Sequence, residues 1–172
     1  FNADADKRDE IRARYIGGKK YLFCTVCRIS KEKNLGFILS ALAAFKEAAG
    51  DCFRHLIIGE GNLRAGMSKL AKDMGTEDNV IFIGNVANDS LGAYYAATDL
   101  FLFASKTETQ GIVLLEAMAS GTPVVALRAS GVSDVVDDGL NGLMTEENEK
   151  DFAQAMFAML AQSGKAAAAA RK

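Results

Sequence analysis

The sequence predicts an α/β fold: a doubly wound parallel sheet of about six strands with helices on both faces. Short apolar runs alternate along the chain with longer amphipathic segments. That alternation favours βαβ units, whose right-handed crossovers place helices on both faces of the sheet. The run at residues 100–104 is almost wholly apolar, which is typical of a central parallel strand.

Each predicted element follows from its own pattern. Apolar residues recur at helical spacing within 34–48, as at Leu35, Ile38 and Leu42. Gly75 and Gly121 stand just beyond two of the helices, where a glycine commonly ends a helix. The predicted strands are residues 21–27, 55–58, 80–83, 100–104, 123–126 and 142–144. The predicted helices are residues 7–15, 34–48, 63–74, 90–96, 111–119 and 149–162.

The length of 172 residues suits one domain. We expect residues 1–20 to form an interdomain linker with a short helix, residues 21–162 to form the domain, and residues 163–172 to form a tail. The five alanines of that tail either extend the last helix or mark a truncation. Because the sequence starts at Phe1 and not at methionine, we expect it to be part of a longer chain.

Composition excludes several classes of protein. The net charge of −2 argues against general attraction to nucleic acid or to anionic membranes. No apolar run approaches the roughly 20 residues of a membrane span. An odd number of cysteines, three, without a visible secretory signal predicts free thiols and a cytoplasmic location.

Three features that could bind metal are interpreted as structural. Cys24 and Cys27 lie three apart in an apolar strand, so we expect them to point to opposite faces as core residues. His55 is the single histidine and begins a strand, which predicts a structural role. Asp4 and Asp6 form a D-x-D pattern that could hold a divalent cation, but they lie in a polar segment far from any strand end. The sequence therefore predicts no metal site.

Ligands of such sheets bind beyond the carboxyl ends of the strands. In this chain those positions hold most of the clusters that combine glycine with charged residues. They predict a site before any relative is considered. The segments are residues 28–33, 59–61, 84–86, 105–111 and 127–134.

Two carboxylates stand eight residues apart in the segment after the fourth strand. Glu108 lies in the loop, and Glu116 lies in the second turn of the next helix. An ionised carboxylate only accepts hydrogen bonds, so the diol of a ribose is a fitting partner. The helix start at Gly111 offers free N–H groups and a positive dipole end, which suit a phosphate. The alternative is a solvated Glu108, a half-exposed Glu116 and a simple N-cap at Gly111.

Two cations follow the first strand. Arg28 could bind phosphate oxygens bidentately, and Lys33 could add a second charge. The alternative is a solvated run of charges, although cations in the first turn of a helix oppose its dipole. Gly59 and Gly61 form a lone G-x-G that a tight turn explains equally well. No P-loop motif is found in the sequence.

Five motifs, in order, resemble those of glycosyltransferase family four. The segment from Glu108 to Glu116 is similar to its E-x7-E motif, and the following AMASGTPVVA agrees with it. Residues 28–34, RISKEKN, resemble G-R-L-x-x-x-K-N, with Cys27 at the usual glycine. Residues 58–64 resemble V-G-x-G, and residues 82–86 resemble F-x-G-x-V. Residues 131–143 resemble G-I-P-E-V-V-x-D-G-x-N-G-L, with Ser133 and Asp134 replacing the usual Pro and Glu.

The resemblance implies a Rossmann-like, donor-binding C-terminal domain of a retaining enzyme with two such domains. Arg28 and Lys33 would hold the diphosphate and stabilise it as it leaves, and Glu108 would orient the sugar. Glu116 would bind the ribose hydroxyls. The remaining donor-binding residues implied are Gly59, Gly61, Val86 beside the base, Thr109, Gln110 and Gly111 near the sugar, and Ile112 and Val113 through their N–H groups.

The resemblance also implies the ligands and partners. A UDP-hexose is the expected donor, with no cofactor and no metal required. The acceptor site and a catalytic histidine would lie in an N-terminal domain of the same polypeptide, so this chain alone should bind donor and transfer little sugar. The sequence ETQG at 108–111 resembles bacterial diacylglycerol glucosyltransferases, which implies a glycolipid product and peripheral membrane association of the longer enzyme.

Three alternatives differ from this interpretation. One is half of a sugar epimerase of the same architecture, although the E-x7-E match argues against it. Another is a receiver-like regulatory module, which would need an acidic cluster that the first strand lacks. The last is a degenerate transferase that only binds nucleotide.

Overall fold

Six parallel strands form a single sheet in the order β3-β2-β1-β4-β5-β6, which confirms the predicted α/β fold. The computed structural model describes residues 4–170, and the side chains of residues 4–163. The strands are β1 Tyr21–Val26, β2 Phe53–Ile58, β3 Val80–Gly84, β4 Leu100–Phe103, β5 Val124–Leu127 and β6 Gly142–Thr145.

The helices agree with the predicted ones to within a few residues at most ends. They are α1 Ala5–Tyr15, α2 Leu35–Ala49, α3 Arg64–Asp73, α4 Asn88–Ala97, α5 Ile112–Ala119, α6 Ser130–Ser133 and α7 Glu149–Ala170. The last helix continues past residue 162 to Ala170, which agrees with the alternative in which the tail extends that helix. The short α6 was not predicted.

Helices cover both faces of the sheet, and each face has its own apolar cluster. Phe23 of β1 packs on one face among residues of α2 and α7. Leu22 and Cys24, its neighbours in the strand, pack on the other face with residues of α4 and α5. The alternation follows from the period of two in a strand. The two clusters hold the sheet between two layers of helices.

The cysteines are free thiols, as predicted. Cys24 is buried in the cluster on the α4 face, whereas Cys27 packs against the cluster on the other face. Burial raises the pKa of each thiol to about 12, so both remain protonated near neutral pH. Neither thiol is therefore activated as a nucleophile.

His55 has the structural role that the sequence predicted. Its ring is fully buried, and its Nε2 lies 3.0 Å from Thr25 Oγ1. The single proton of Thr25 is donated to the carbonyl of Leu102 at 2.7 Å, so Nε2 donates to the threonine oxygen. Burial lowers the pKa of the imidazole to about 3, which keeps the ring neutral. The contact joins β1, β2 and β4.

The D-x-D pattern belongs to a helix cap. Asp4 Oδ1 accepts hydrogen bonds from the backbone N–H groups of Asp6 at 2.9 Å and Lys7 at 3.4 Å. A capping aspartate at this position stabilises the first turn of α1. Among residues 4–163, no group of three or more His, Cys, Asp or Glu side chains is arranged to hold a metal ion.

Helix α1, the short helix expected within residues 1–20, packs against α4. The guanidinium of Arg12 donates to Asp99 Oδ2 at 3.2 Å from both terminal nitrogens, and to the carbonyl of Ala97 at 3.0 Å. Asp99 Oδ2 also accepts the N–H of Leu22 at 2.9 Å. One carboxylate therefore joins α1 to the first residues of the central strand.

None of the helices in the described part of the chain combines the length and apolar character that a bilayer span requires.

We expect Asp99→Ala to lower the free energy of unfolding by about 1–3 kcal/mol, because it leaves the N–H of Leu22 without its acceptor and the Arg12 guanidinium with only the carbonyl of Ala97. Urea unfolding followed by circular dichroism measures this loss. Asp9→Ala is the matched control, since Asp9 pairs with Arg8 on the surface and should change stability by under about 0.5 kcal/mol. Equal losses in the two variants would contradict the prediction.

Candidate functional site

A cavity of about 250 Å³ opens at the carboxyl edge of the sheet, next to β1, where the strand order reverses. Its walls come from the carboxyl ends of β1, β2 and β3 and from the first turns of α4 and α5. This is the position at which open α/β sheets bind ligands. The cavity is lined by Val26, Cys27, Arg28, Ile58, Gly59, Asn85, Val86, Asn88, Leu91 and Val113.

The cavity brings together four of the predicted site residues, from four separate segments: Arg28, Gly59, Val86 and Val113. A second depression of about 270 Å³ lies near the amino end of β5, between α5 and α7. It has no charged side chain in its lining and contains none of the predicted residues. Its position and the four predicted residues in its lining therefore favour the cavity at the carboxyl edge over this depression.

The loops after β1 and β2 are joined by backbone hydrogen bonds. The N–H of Ile29 donates to the carbonyl of Glu60 at 3.0 Å, and the N–H of Leu63 donates to the carbonyl of Ile29 at 3.2 Å. A Cβ at Gly59 would lie 1.9 Å from the carbonyl oxygen of Cys27. At Gly61 it would lie 2.2 Å from the carbonyl oxygen of Ile29. Both glycines are needed for this close approach of the loops.

This packing explains the G-x-G motif without a ligand, as the tight-turn alternative had it. Gly59 also borders the cavity, with φ +136°, so it can serve both purposes. Gly61 is not among the residues that line the cavity. Its contact with a donor stays a prediction.

Glu108 is paired and is not a solvated loop charge. Its Oε1 accepts the N–H of Gly111 at 3.2 Å, and its Oε2 lies 3.7 Å from Lys33 Nζ. The side chains of Lys33 and Glu108 are only 26% and 17% exposed. The ion pair therefore connects the loop after β1 to the loop after β4 and orients both side chains.

The start of α5 presents the remaining predicted residues. The helix begins at Ile112, after Gly111 in the left-handed region at φ 62°. Thr109, Gln110 and Ile112 are exposed on this loop and first turn. As in any α-helix, the first N–H groups, including those of Ile112 and Val113, have no acceptor within the helix. They are therefore available to an anion beside the cavity.

Gly131 is a site residue that the sequence did not single out. A Cβ there would lie 2.2 Å from the carbonyl oxygen of Glu108. The loop after β5 thus supports the loop that carries Glu108, and Gly131 allows the contact. The sequence indicated a role for Gly131 only by its place a few residues after β5, as the first residue of the GVSDVV segment.

Asn34 was also missed as a positioning residue. It adopts φ 57°, and its Nδ2 donates to the carbonyl of Ala104 at 3.3 Å. Asparagine tolerates the left-handed region better than other residues with a Cβ. It fixes the turn between Lys33 and α2 against the end of β4.

Glu116 is half-buried and has a protein partner. The hydroxyl of Tyr95, on α4, donates to Glu116 Oε2 at 2.9 Å. Tyr95 itself is fully buried. Burial, followed by the Glu116 carboxylate, raises the pKa of the tyrosine, so its hydroxyl stays a donor. Glu116 lies one helical turn beyond Val113, beside the cavity and not in its lining.

The arrangement combines the groups that recognise an anion carrying hydroxyls. Arg28 supplies an exposed guanidinium, and α5 supplies N–H groups and the positive end of its dipole. Glu116 supplies an acceptor that no cation among residues 4–163 neutralises by an ion pair. Such a set fits a ligand that carries both phosphate and sugar hydroxyls.

A match to the family described as glycosyl transferases group 1 covers residues 6–172. The chain belongs to this family. The group 1 domain is 35% identical over 136 residues to alpha-monoglucosyldiacylglycerol synthase of Acholeplasma laidlawii, covering 78% of the chain and 34% of that protein. It is 32% identical over 158 residues to the GDP-mannose-dependent alpha-(1-6)-phosphatidylinositol monomannoside mannosyltransferase of Mycobacterium tuberculosis, covering 88% and 41%.

Solved structures agree with the fold of the group 1 domain. The Anabaena protein Alr3699/HepE, solved in complex with UDP-glucose, superposes with a TM-score of 0.83 at 23% identity, over 95% of this chain and 45% of that one. The C-terminal domain of the group 1 protein LpcC from Francisella tularensis gives 0.80 at 24%, over 95% and 87%. The chain therefore spans less than half of the curated relatives above but nearly all of a solved C-terminal domain.

Proposed function

We propose that this group 1 domain binds the nucleotide-sugar donor of a retaining glycosyltransferase. The observation that carries the proposal is the cavity at the carboxyl edge of the sheet, which Arg28 and Val113 of the first turn of α5 line, with Glu116 one helical turn beyond Val113. Membership of a glycosyltransferase family supports it. The family match also argues against the receiver-like module and the epimerase half that the sequence left open.

The proposed binding mode assigns each part of the donor to a group of residues. Arg28, Lys33 and the N–H groups of Ile112 and Val113 hold the diphosphate. Val86, in the cavity lining, flanks the base, and Glu116 accepts from the ribose hydroxyls. Thr109, Gln110 and Gly111 lie at the sugar, with Glu108 orienting it. The cations neutralise the diphosphate without a metal ion.

The proposed reaction is sugar transfer with retention at the anomeric carbon. When the bond between sugar and diphosphate breaks, negative charge grows on the leaving phosphate. Arg28, Lys33 and the dipole of α5 stabilise that charge where it forms. Glu108 is held by Lys33 and Gly111, a position that suits orientation of the sugar better than attack on it.

The acceptor is assigned to another domain of the same polypeptide. The coverage of 34% and 41% of the two curated relatives supports this assignment. One relative is named as the synthase of a glucosyldiacylglycerol and the other as a phosphatidylinositol monomannoside mannosyltransferase. We therefore propose a glycolipid product and peripheral membrane association of the whole enzyme at the cytoplasmic face. For the donor we propose a UDP-hexose, although one relative is named as GDP-mannose-dependent.

Calorimetric titration of the chain with UDP, UDP-glucose, GDP-mannose and ADP, with EDTA present, tests the proposal. We expect one nucleotide to bind, and we expect Glu116→Ala to weaken it by about 1–3 kcal/mol through loss of a charged acceptor. Little sugar should be transferred by the chain alone. If none of the four binds at millimolar concentration, the proposal is contradicted.

A further inference from the structure

Glu116 is held in place by a tyrosine that lies outside all five family motifs. Tyr95 is fully buried on α4, and its hydroxyl donates to Glu116 Oε2 at 2.9 Å. We infer that Tyr95 is a positioning residue for the nucleotide ribose, which fixes the Glu116 carboxylate through one oxygen and leaves the other to the ribose hydroxyls. The inference rests on the proposed function, because it concerns the same ribose site.

The hydrogen-bonded pair of Tyr95 and Glu116 lies one helical turn beyond the residues that line the cavity. On α4, Tyr95 follows the cavity-lining Leu91 by four residues, and on α5, Glu116 follows the cavity-lining Val113 by three. Residues three or four apart share one face of a helix. The hydrogen bond therefore connects the two helices that form adjacent walls of the cavity, one turn away from its lining.

Tyr95 is held rigidly enough to act as a fixed donor. Its carbonyl accepts from the hydroxyls of Thr98 at 2.9 Å and Thr122 at 2.5 Å. Its ring meets the ring of Phe101 edge-on, with centroids 5.5 Å apart. Both backbone and ring are thus fixed from more than one element. A carboxylate bonded to such a donor has few orientations available.

The chemistry favours a tyrosine at this position over a phenylalanine. Helix α5 is otherwise almost wholly apolar, and a half-buried carboxylate there needs a hydrogen-bond donor. A single neutral hydroxyl supplies one bond and leaves the negative charge in place. An arginine or lysine would neutralise the charge and compete with the ribose for both oxygens. Tyr95 therefore stabilises Glu116 without consuming its capacity to accept from a diol.

The test uses Tyr95→Phe, Glu116→Gln and the double variant, each titrated with UDP and with 2′,3′-dideoxy-UDP, which lacks both ribose hydroxyls. If GDP-mannose is the donor that binds, GDP and its dideoxy form replace them. We expect Tyr95→Phe to weaken UDP by about five- to thirtyfold and the dideoxy form by less than about twofold. When Glu116→Gln is already present, Tyr95→Phe should cause no further loss of UDP affinity, because Tyr95 acts through Glu116.

Tyr94→Phe is the matched control, because Tyr94 is the neighbouring residue of α4, half-buried against Tyr15, and should leave both affinities unchanged. Tyr95→Phe retains the ring that packs on Phe101, so the variant should fold. If Tyr95→Phe weakens both ligands equally, or adds fully to Glu116→Gln, Tyr95 is merely a packing residue and the inference fails. If Glu116→Gln weakens neither ligand, the proposed ribose site fails with it.

Discussion

Replacing Gly59 with alanine is expected to lower the free energy of unfolding by about 2–4 kcal/mol, the largest loss expected from any single added methyl group here. Gly59 has φ +136°, which residues with a Cβ rarely adopt. The new Cβ would also lie 1.9 Å from the carbonyl oxygen of Cys27, which is backbone and cannot rotate away. The loops after β1 and β2 would have to separate, and the cavity would lose its shape.

Urea unfolding of three variants separates the effect of the positive φ from the effect of the contact with Cys27. In Gly75→Ala, the glycine has φ +75° and no atom within 4 Å of its added Cβ, so the variant should lose only about 1–2 kcal/mol from the backbone conformation. In Gly66→Ala, inside α3 and in open space, the added methyl should be neutral or stabilise by about 0.5–1 kcal/mol. If Gly59→Ala lowers the free energy of unfolding by no more than Gly75→Ala does, the contact with the Cys27 carbonyl oxygen does not add to the loss.

Replacing Arg28 with alanine is expected to raise the dissociation constant of the nucleoside diphosphate about ten- to a hundredfold. Arg28 is the cation in the lining of the cavity, and it is exposed at the mouth. A guanidinium can donate two parallel hydrogen bonds to phosphate oxygens, and such charge-assisted bonds are roughly twice as strong as neutral ones. Stability should change little, because the side chain is exposed.

Comparison of UDP with uridine shows whether the affinity lost in Arg28→Ala comes from contacts with the phosphates. Arg28→Ala should weaken UDP and leave uridine unchanged, and the effect should shrink at high salt because an exposed charge is screened. Lys31→Ala is the matched control, since Lys31 is an exposed cation three residues along the same loop but outside the cavity lining. An equal loss for UDP and uridine would place Arg28 at the base or ribose instead.

The sheet was predictable because parallel strands covered on both faces are continuous apolar runs, as residues 100–104 show. The attachment of α1 to α4 was not predictable from the sequence. That helix has no fully buried residue and carries no apolar stripe; Arg12 bonds to Asp99, and Tyr15 packs beside Tyr94. Single polar contacts between distant residues leave no periodic pattern in a sequence, so only the structure shows them.

The site was predictable in position but not in its pairings. Topology brings the carboxyl ends of neighbouring strands together, so Arg28 and the loop carrying Glu108 were expected at one edge. The contacts of Lys33 with Glu108 and of Tyr95 with Glu116 join different elements, and no spacing rule predicts them. The role of Gly131 depends on a backbone approach that only the coordinates show. The family resemblance came from the order of the motifs, not from any one residue.

The bond between Arg12 and Asp99 also has a mechanical consequence. Because Asp99 Oδ2 holds both the Arg12 guanidinium and the N–H of Leu22, α1 is tied to β1, a central strand of the sheet, by this carboxylate as well as by the chain between them. That strand, β1, is the one whose following loop carries Arg28. A displacement of α1 would therefore reach the centre of the sheet and not one of its edge strands, β3 or β6.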